Sequence, residues 1–85
     1  LELRVRLSGC VGDDLFGQAV GQMLTAAGVD CGGLSPCTGV PTSATCVINV
    51  RGEDRRFIHC IGSNARYDGT QISEDDLQST RVLYL

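Results

Sequence analysis

The first residues of the chain alternate between apolar and polar side chains. The apolar positions are Leu3, Val5 and Leu7. This period of two predicts a β-strand with one buried face over residues 1–8. Gly9 and Gly12 then interrupt the alternation, so we expect the strand to end before them.

The spacing of apolar residues changes to three and four after this strand. The apolar side of this segment consists of Leu15, Phe16, Ala19, Val20, Met23, Leu24 and Ala27. Such a stripe predicts an amphipathic helix. Asp13 or Asp14 can cap its first turn, where free N–H groups and the helix dipole favour a carboxylate. Gly28 suits a left-handed C-terminal residue, and Val29 after it predicts a Schellman ending.

The middle of the chain predicts a connection followed by a β-hairpin. Residues 30–41 are rich in Gly, Ser and Pro, and we expect a linker there with a short strand near residues 34–38. Residues 42–50 and 55–61 alternate again, with a polar turn between them. Two alternating runs around a short turn are typical of a hairpin.

The sequence leaves the register of this hairpin open. A direct turn places Cys46 opposite His59, whereas a one-residue bulge places Thr45 opposite His59. Both registers keep apolar residues on both faces, which is expected of a hairpin that packs over another surface.

The last part of the chain predicts a short helix and a strand. Ser73 and Asp76 have the spacing of a capping box, which predicts a helix through about residue 79. Residues 81–85 form a nearly continuous apolar run, as in a buried parallel strand. Two such strands in a chain of 85 residues cannot cover one another's edges. We therefore expect this chain to be part of a larger protein.

The charge and hydropathy of the chain argue against two classes of protein, those that bind nucleic acids by charge and those that span a membrane. The net charge is −3, and all seven basic residues are arginines. This balance argues against nucleic-acid binding by charge. No apolar run approaches the roughly 18 residues of a membrane span. We expect a soluble, cytoplasmic protein with no membrane partner.

Neither the cysteines nor the first glycines predict a strong site. The five cysteines are odd in number and contain no CxxC pair, so reduced thiols that pack as small apolar side chains are favoured over a metal site at His59 and Cys60. Gly12 and Gly17 have the spacing of a phosphate loop, but Gln18 replaces its lysine and the adjacent aspartates would repel phosphate. Helix capping is the favoured interpretation of this turn.

Several runs, taken in order, resemble the ribokinase-like (PfkB) carbohydrate kinases. They are VGDDLFG at 11–17, AGVD at 27–30, PTSA at 41–44, GSNA at 62–65 and ISEDDL at 72–77. The resemblance covers essentially the whole chain. Ser43 stands where a glycine is usual, and Gly52 lies one position before the usual turn glycine.

This resemblance implies a fragment of an ATP-dependent sugar or nucleoside kinase, which transfers the γ-phosphate to a substrate hydroxyl with Mg²⁺. The implied fold is part of a doubly wound, Rossmann-like α/β domain plus a β-hairpin lid. Residues 1–30 and 72–85 would belong to the α/β core, and residues 31–65 would form the linker and lid. The family's catalytic base, ATP site and magnesium element have no counterpart in this segment, so we expect it alone to bind no cofactor.

The resemblance places the candidate substrate-binding residues in the lid. Thr45 and His59 match positions that lean over the sugar, and Asn64 lies where the lid rejoins the main domain. The implied partner is a small-molecule sugar or nucleoside, and a homodimer through the lid is compatible with the family. The alternatives are a non-catalytic binding or regulatory module that retains the fold, and a small structural domain.

Overall fold

The computed structural model describes residues 3–85 and shows two small sheets and three helical segments. In chain order these are β1 (Arg6–Gly12), α1 (Leu15–Ala26), β2 (Asp30–Cys37), β3 (Ala44–Ile48), β4 (Arg56–Cys60), a 3₁₀ helix (Gly62–Arg66) and α2 (Glu74–Gln78). β1 and β2 form a parallel pair, and β3 and β4 form a separate antiparallel pair. A parallel strand–helix–strand unit with an attached hairpin confirms the predicted α/β class.

β1 lies further along the chain than the alternation predicts. It runs through the glycines that we expected to end it, and Gly9 and Gly12 are paired with Leu34 and Cys37 of β2. The prediction was wrong at this end because glycine interrupts the side-chain pattern without removing the backbone hydrogen-bonding groups that build a ladder. Residues 1 and 2 of the predicted strand lie outside the described residues.

β2 is longer than the short strand expected near residues 34–38. It starts directly after α1, where the Asp30 amide donates to the Val5 carbonyl at 2.8 Å. The register is irregular between Arg6 and Ser8. The short strand is thus confirmed over residues 34–37, and the expected linker was wrong for residues 30–33. There pairing with β1 supplies the ladder that the Gly-rich composition does not predict.

Both ends of α1 follow the sequence signals. The Asp14 side chain accepts from the Gly17 amide at 2.9 Å, so Asp14 is the N-cap of the two aspartates that the sequence offered. At the other end Gly28 has φ of 87°, and the Val29 amide donates to the Leu24 carbonyl at 3.0 Å. This is the predicted Schellman ending.

The apolar stripe of α1 is only partly covered by the described residues. Val20 and Leu24 are half-buried, whereas Leu15, Phe16 and Met23 are exposed. The helix packs on β1 and β2. The part of the stripe nearest those strands is therefore the part that the sheet shields.

The hairpin has the second of the two registers that the sequence left open. Thr45 is paired with His59, and Val47 with Phe57. In the connecting turn the Glu53 amide donates to the Val50 carbonyl at 3.1 Å. The chain then enters the 3₁₀ helix, in which Ser63 is fully buried.

The end of the chain follows one prediction and contradicts another. The Ser73 hydroxyl accepts from the Asp76 amide at 3.1 Å, which confirms the capped start of α2. Residues 81–85 form no strand. An apolar run becomes a strand only when a neighbour completes its ladder, and no strand among residues 3–85 pairs with it. Tyr84 and Leu85 are almost fully exposed.

The hydrophobic core of the described chain is thin. Cys10 in β1 is its buried apolar residue, and large apolar side chains remain exposed on β1, α1 and the hairpin. None of the helices within residues 3–85 is long and apolar enough to cross a membrane.

Candidate functional site

Two of the three candidate binding residues meet across the hairpin. The Thr45 hydroxyl lies 2.7 Å from Nδ1 of His59, and the two residues are register partners in β3 and β4. Side chains of directly opposed residues stand on the same face of an antiparallel pair. The backbone therefore brings a hydroxyl and an imidazole together at one point of that face.

The same face carries the neighbouring pair Val47 and Phe57. These residues are 49% and 64% exposed, respectively, so this face presents an apolar surface beside the Thr45–His59 pair. Because Thr45 engages Nδ1, the ring nitrogen left to meet a ligand is Nε2. A few polar groups on an apolar surface are typical of a site for a small polar molecule.

Asn64 lies away from this pair, at the base of the hairpin. Its side-chain amide donates to the Ser43 hydroxyl at 3.0 Å, and the Ser43 hydroxyl donates to the Cys60 carbonyl at 3.3 Å. Asn64 thus joins the residues before β3 to those after β4. We call these two segments, residues 41–43 and 62–64, the lid roots.

The first lid root is bonded to the N-cap of α1. Thr42 is 8% exposed. Its hydroxyl donates to Oδ1 of Asp14 at 2.5 Å, and its amide donates to Oδ2 at 2.9 Å. The same hydroxyl accepts from the Gly12 amide at 2.9 Å. Thr42 therefore ties the end of β1, the start of α1 and the start of the hairpin together.

The backbones are closely packed at this junction. A Cβ on Gly17 would collide with the Gly12 carbonyl, and a Cβ on Gly12 would collide with the backbone of residues 40–42. The two glycines thus allow a close approach of strand, helix and lid root. The spacing that suggests a phosphate loop is explained by this packing.

The second lid root is fixed by Ser63. Its amide donates to the Pro41 carbonyl at 2.8 Å, and its hydroxyl donates to the Cys10 carbonyl at 3.0 Å. The Ser43 amide approaches the same hydroxyl at 3.4 Å. The two lid roots are consequently bonded to each other and to the last residues of β1, Cys10 and Gly12.

Hydrogen bonding keeps the Asp14 carboxylate charged. Donation by the Thr42 hydroxyl, then by the Thr42 amide and the Gly17 amide, lowers the pKa of Asp14 below its ordinary value. The adjacent Asp13 is exposed. The two aspartates therefore have different environments, and Asp14 acts as cap and as anchor of the lid root.

Sequence reasoning predicted the cap but missed its bonds to Thr42, and it missed Ser63. Both Thr42 and Ser63 are small and polar, and neither was considered as a residue that holds the hairpin to the rest of the chain. The available signal was that two polar residues flank the predicted hairpin symmetrically. Their burial depends on contacts between distant parts of the chain, which a local pattern does not contain.

The cysteines are free thiols. Burial raises the pKa of the Cys10 thiol, and the nearby Cys37 thiol raises it further. A thiol with a raised pKa is a poor nucleophile. Within residues 3–85, His, Cys, Asp and Glu side chains form no group of three that could hold a metal ion.

Comparison with known families and structures gives one consistent result. The sequence profile described as pfkB family carbohydrate kinase matches residues 1–85. The chain is similar to the apo form of a "putative Ribokinase II" from E. coli, with 29% identity and a TM-score of 0.82 over 92% of this chain and 26% of that chain. The structure of a "putative Ribokinase II" from E. coli in complex with ATP and Mg²⁺ gives 30% identity and a TM-score of 0.78, covering 92% of this chain and 25% of that chain.

A third structure, ribokinase from Cryptococcus neoformans var. grubii serotype A in complex with ADP, has 27% identity and a TM-score of 0.60. It covers 71% of this chain and 18% of that chain. Comparison with curated protein sequences gives no match. The chain thus spans about a quarter or less of the length of these three structures.

Proposed function

Because the chain belongs to the pfkB family of carbohydrate kinases, we propose that it supplies the early α/β unit and the acceptor lid of an ATP-dependent kinase. The proposed reaction transfers the γ-phosphate of ATP to a hydroxyl of a sugar or nucleoside. Similar structures in complex with ATP and Mg²⁺ and with ADP support this nucleotide. The proposed acceptor is a small molecule rich in hydroxyl groups.

The observation that carries this proposal is the Thr45–His59 pair on the apolar face of the hairpin. A hydroxyl and an imidazole can each donate to or accept from a sugar hydroxyl. Val47 and Phe57 beside them offer apolar surface that excludes water when the hairpin covers a ligand. Excluding water matters here because water competes with the acceptor for the γ-phosphate.

The described residues do not fit a site for Mg²⁺ or for the ATP phosphates. Both carboxylate oxygens of Asp14 already accept hydrogen bonds from Thr42 and Gly17. Within residues 3–85, acidic, histidine and cysteine side chains form no metal-binding group. We assign nucleotide and metal binding to the remainder of the proposed enzyme, and no step of the reaction is placed on this segment beyond holding and covering the acceptor.

The proposal is tested by a phosphotransfer assay on the full-length protein that contains this chain. Radiolabelled ATP and Mg²⁺ are supplied with ribose, fructose, a keto-acid sugar and adenosine in turn. We expect ATP-dependent phosphorylation of at least one acceptor. If none of the four acceptors is phosphorylated but calorimetry shows that one of them binds, the result would instead support the non-catalytic binding module.

The homodimer through the lid also stays a prediction. The face opposite the Thr45–His59 pair exposes Ile48 and Ile58, which are 38% and 64% exposed. Sedimentation equilibrium of the full-length protein, with and without Ile58→Glu, checks it. A dimer that this substitution leaves intact would contradict an interface on this face.

A further inference from the structure

The hairpin is held to the rest of the chain chiefly through its lid roots. Every residue of β3 and β4 is exposed. The two strands pack on each other, and no other helix or strand among residues 3–85 packs extensively against them. The orientation of the hairpin, and with it the position of the Thr45–His59 pair, therefore depends on the bonds made by the lid roots.

The strongest of these bonds join Thr42 to the Asp14 carboxylate. Thr42 donates to both carboxylate oxygens, once from its hydroxyl and once from its amide. Charge-assisted hydrogen bonds are stronger than neutral ones. Thr42 also lies three residues before Thr45, so a shift at this anchor passes directly into the strand that carries the candidate binding residue.

The geometry requires a carboxylate more strictly than helix capping does. Asparagine caps helices about as well as aspartate, because one oxygen is enough to accept from the Gly17 amide. The second oxygen of Asp14 accepts from the Thr42 amide. In an asparagine that position holds an NH₂ group, which would face the Thr42 N–H donor without a bond.

We propose that Asp14 is a positioning residue for acceptor binding, whose carboxylate sets the orientation of the hairpin through Thr42. This inference rests on the proposed function of the hairpin as acceptor lid. Asp14 touches neither acceptor nor nucleotide in this scheme. Its effect reaches the acceptor through Thr42, β3 and the Thr45–His59 pair.

The first test compares Asp14→Asn with Asp13→Asn in the full-length protein. Both variants lose one negative charge at adjacent positions, but only Asp14→Asn removes an acceptor from Thr42. We expect Asp14→Asn to lower kcat/KM for the acceptor about tenfold, while KM for ATP changes by less than about twofold. Asp13→Asn should leave both parameters within about twofold. The proposal would be overturned if Asp14→Asn left kcat/KM for the acceptor unchanged. It would also be overturned if kcat/KM fell equally for the acceptor and for ATP.

Substitutions at Thr42 separate positioning from general loss of stability. Thr42→Ser keeps the hydroxyl and should retain acceptor kcat/KM within about threefold, whereas Thr42→Val should lose about tenfold. Because Asp14 and Thr42 act as one unit, the double variant Asp14→Asn with Thr42→Val should be little worse than either alone. Additive losses would contradict a shared mechanism. If Asp14→Asn does not fold, the comparison of serine with valine at Thr42 decides the question.

A second measurement does not depend on activity. Hydrogen exchange of the hairpin amides should be faster in Asp14→Asn than in Asp13→Asn, with β1 exchanging alike in both. If the wild-type protein phosphorylates no acceptor, the proposed function fails while this comparison still decides whether Asp14 positions the hairpin. Equal exchange of the hairpin in the two variants would overturn the positioning role even in an active enzyme.

Discussion

The Thr45 hydroxyl and Nδ1 of His59 lie 2.7 Å apart across the two strands of the hairpin. This hydrogen bond restrains the imidazole ring and leaves Nε2 as the nitrogen that a ligand can reach. The pair lies on the same face as Val47 and Phe57. An ordered polar pair on an otherwise apolar and exposed face is the feature from which the acceptor-lid proposal follows.

Removing the Ser63 hydroxyl should destabilise the protein. Ser63 is fully buried and donates to the Cys10 carbonyl at 3.0 Å, so Ser63→Ala leaves a buried carbonyl without its donor. We expect the free energy of unfolding to fall by about 1–3 kcal/mol in urea denaturation of the full-length protein. The control is Ser79→Ala, because the exposed Ser79 also donates to a carbonyl and should change stability by less than about 0.5 kcal/mol. Equal effects would contradict the buried role of Ser63.

A side chain at Gly28 should strain the end of α1. Gly28 has φ of 87°, a conformation that β-branched residues rarely adopt, and a Cβ there would meet no neighbouring atom within 4 Å. Gly28→Val should therefore cost about 1 kcal/mol or more through the backbone alone. Gly21→Val is the matched control, since Gly21 is helical with equally open surroundings. If the two variants had the same melting temperature, the result would contradict the Schellman ending at Gly28.

Acid should weaken the contribution of Asp14 to stability. Its pKa is lowered by donation from Thr42 and Gly17. A carboxyl with a lowered folded pKa stabilises the folded state above its unfolded pKa of about 3.9, and the contribution is lost as the pH falls through the folded pKa. The difference in unfolding free energy between wild type and Asp14→Asn should thus be greatest near neutral pH and shrink below about pH 4. Denaturation curves across this range check the trend, and a difference that grew in acid would contradict it.

Hydrogen exchange should divide the protein into a slow and a fast part. β1 and β2 are paired with each other and packed against α1, whereas all residues of β3 and β4 are exposed. We expect the paired amides of β2 to exchange more slowly than those of β4, because local opening of the hairpin breaks fewer buried contacts. Exchange that is faster in β2 than in β4 would contradict this division and would favour the linker that the composition of β2 predicted.

The sequence predicts elements whose signals are local. The cap at Asp14 and the ending at Gly28 depend on residues within one or two turns, and the structure confirms both. The first half of β2, residues 30–33, was not predicted because its strand conformation comes from pairing with β1 and not from its own glycine-rich composition. Residues 81–85 show the converse, since a strongly strand-like run forms no strand without a neighbour.

The residues of the candidate site could be proposed from the sequence, whereas most of their contacts could not. Thr45 and His59 could be proposed from the resemblance, but their pairing depended on a register that the turn sequence left open. Asn64 was proposed as a binding residue, and the structure places it at the lid roots with Ser43. Whether it also contacts a substrate stays a prediction. The bonds of Thr42 and Ser63 join segments 28 and 53 residues apart, and no local pattern encodes such contacts.

The most direct measurement for the acceptor lid is steady-state kinetics of His59→Ala in the full-length protein, with acceptor and ATP varied in turn. The control is Ile58→Ala, which alters the neighbouring residue on the opposite face of the hairpin. We expect His59→Ala to lower acceptor kcat/KM by roughly tenfold, equivalent to about 1.4 kcal/mol, with little change in KM for ATP. Ile58→Ala should leave acceptor kcat/KM within about twofold. An unaltered acceptor kcat/KM in His59→Ala, or a loss confined to ATP, would contradict the assignment of this face to the acceptor.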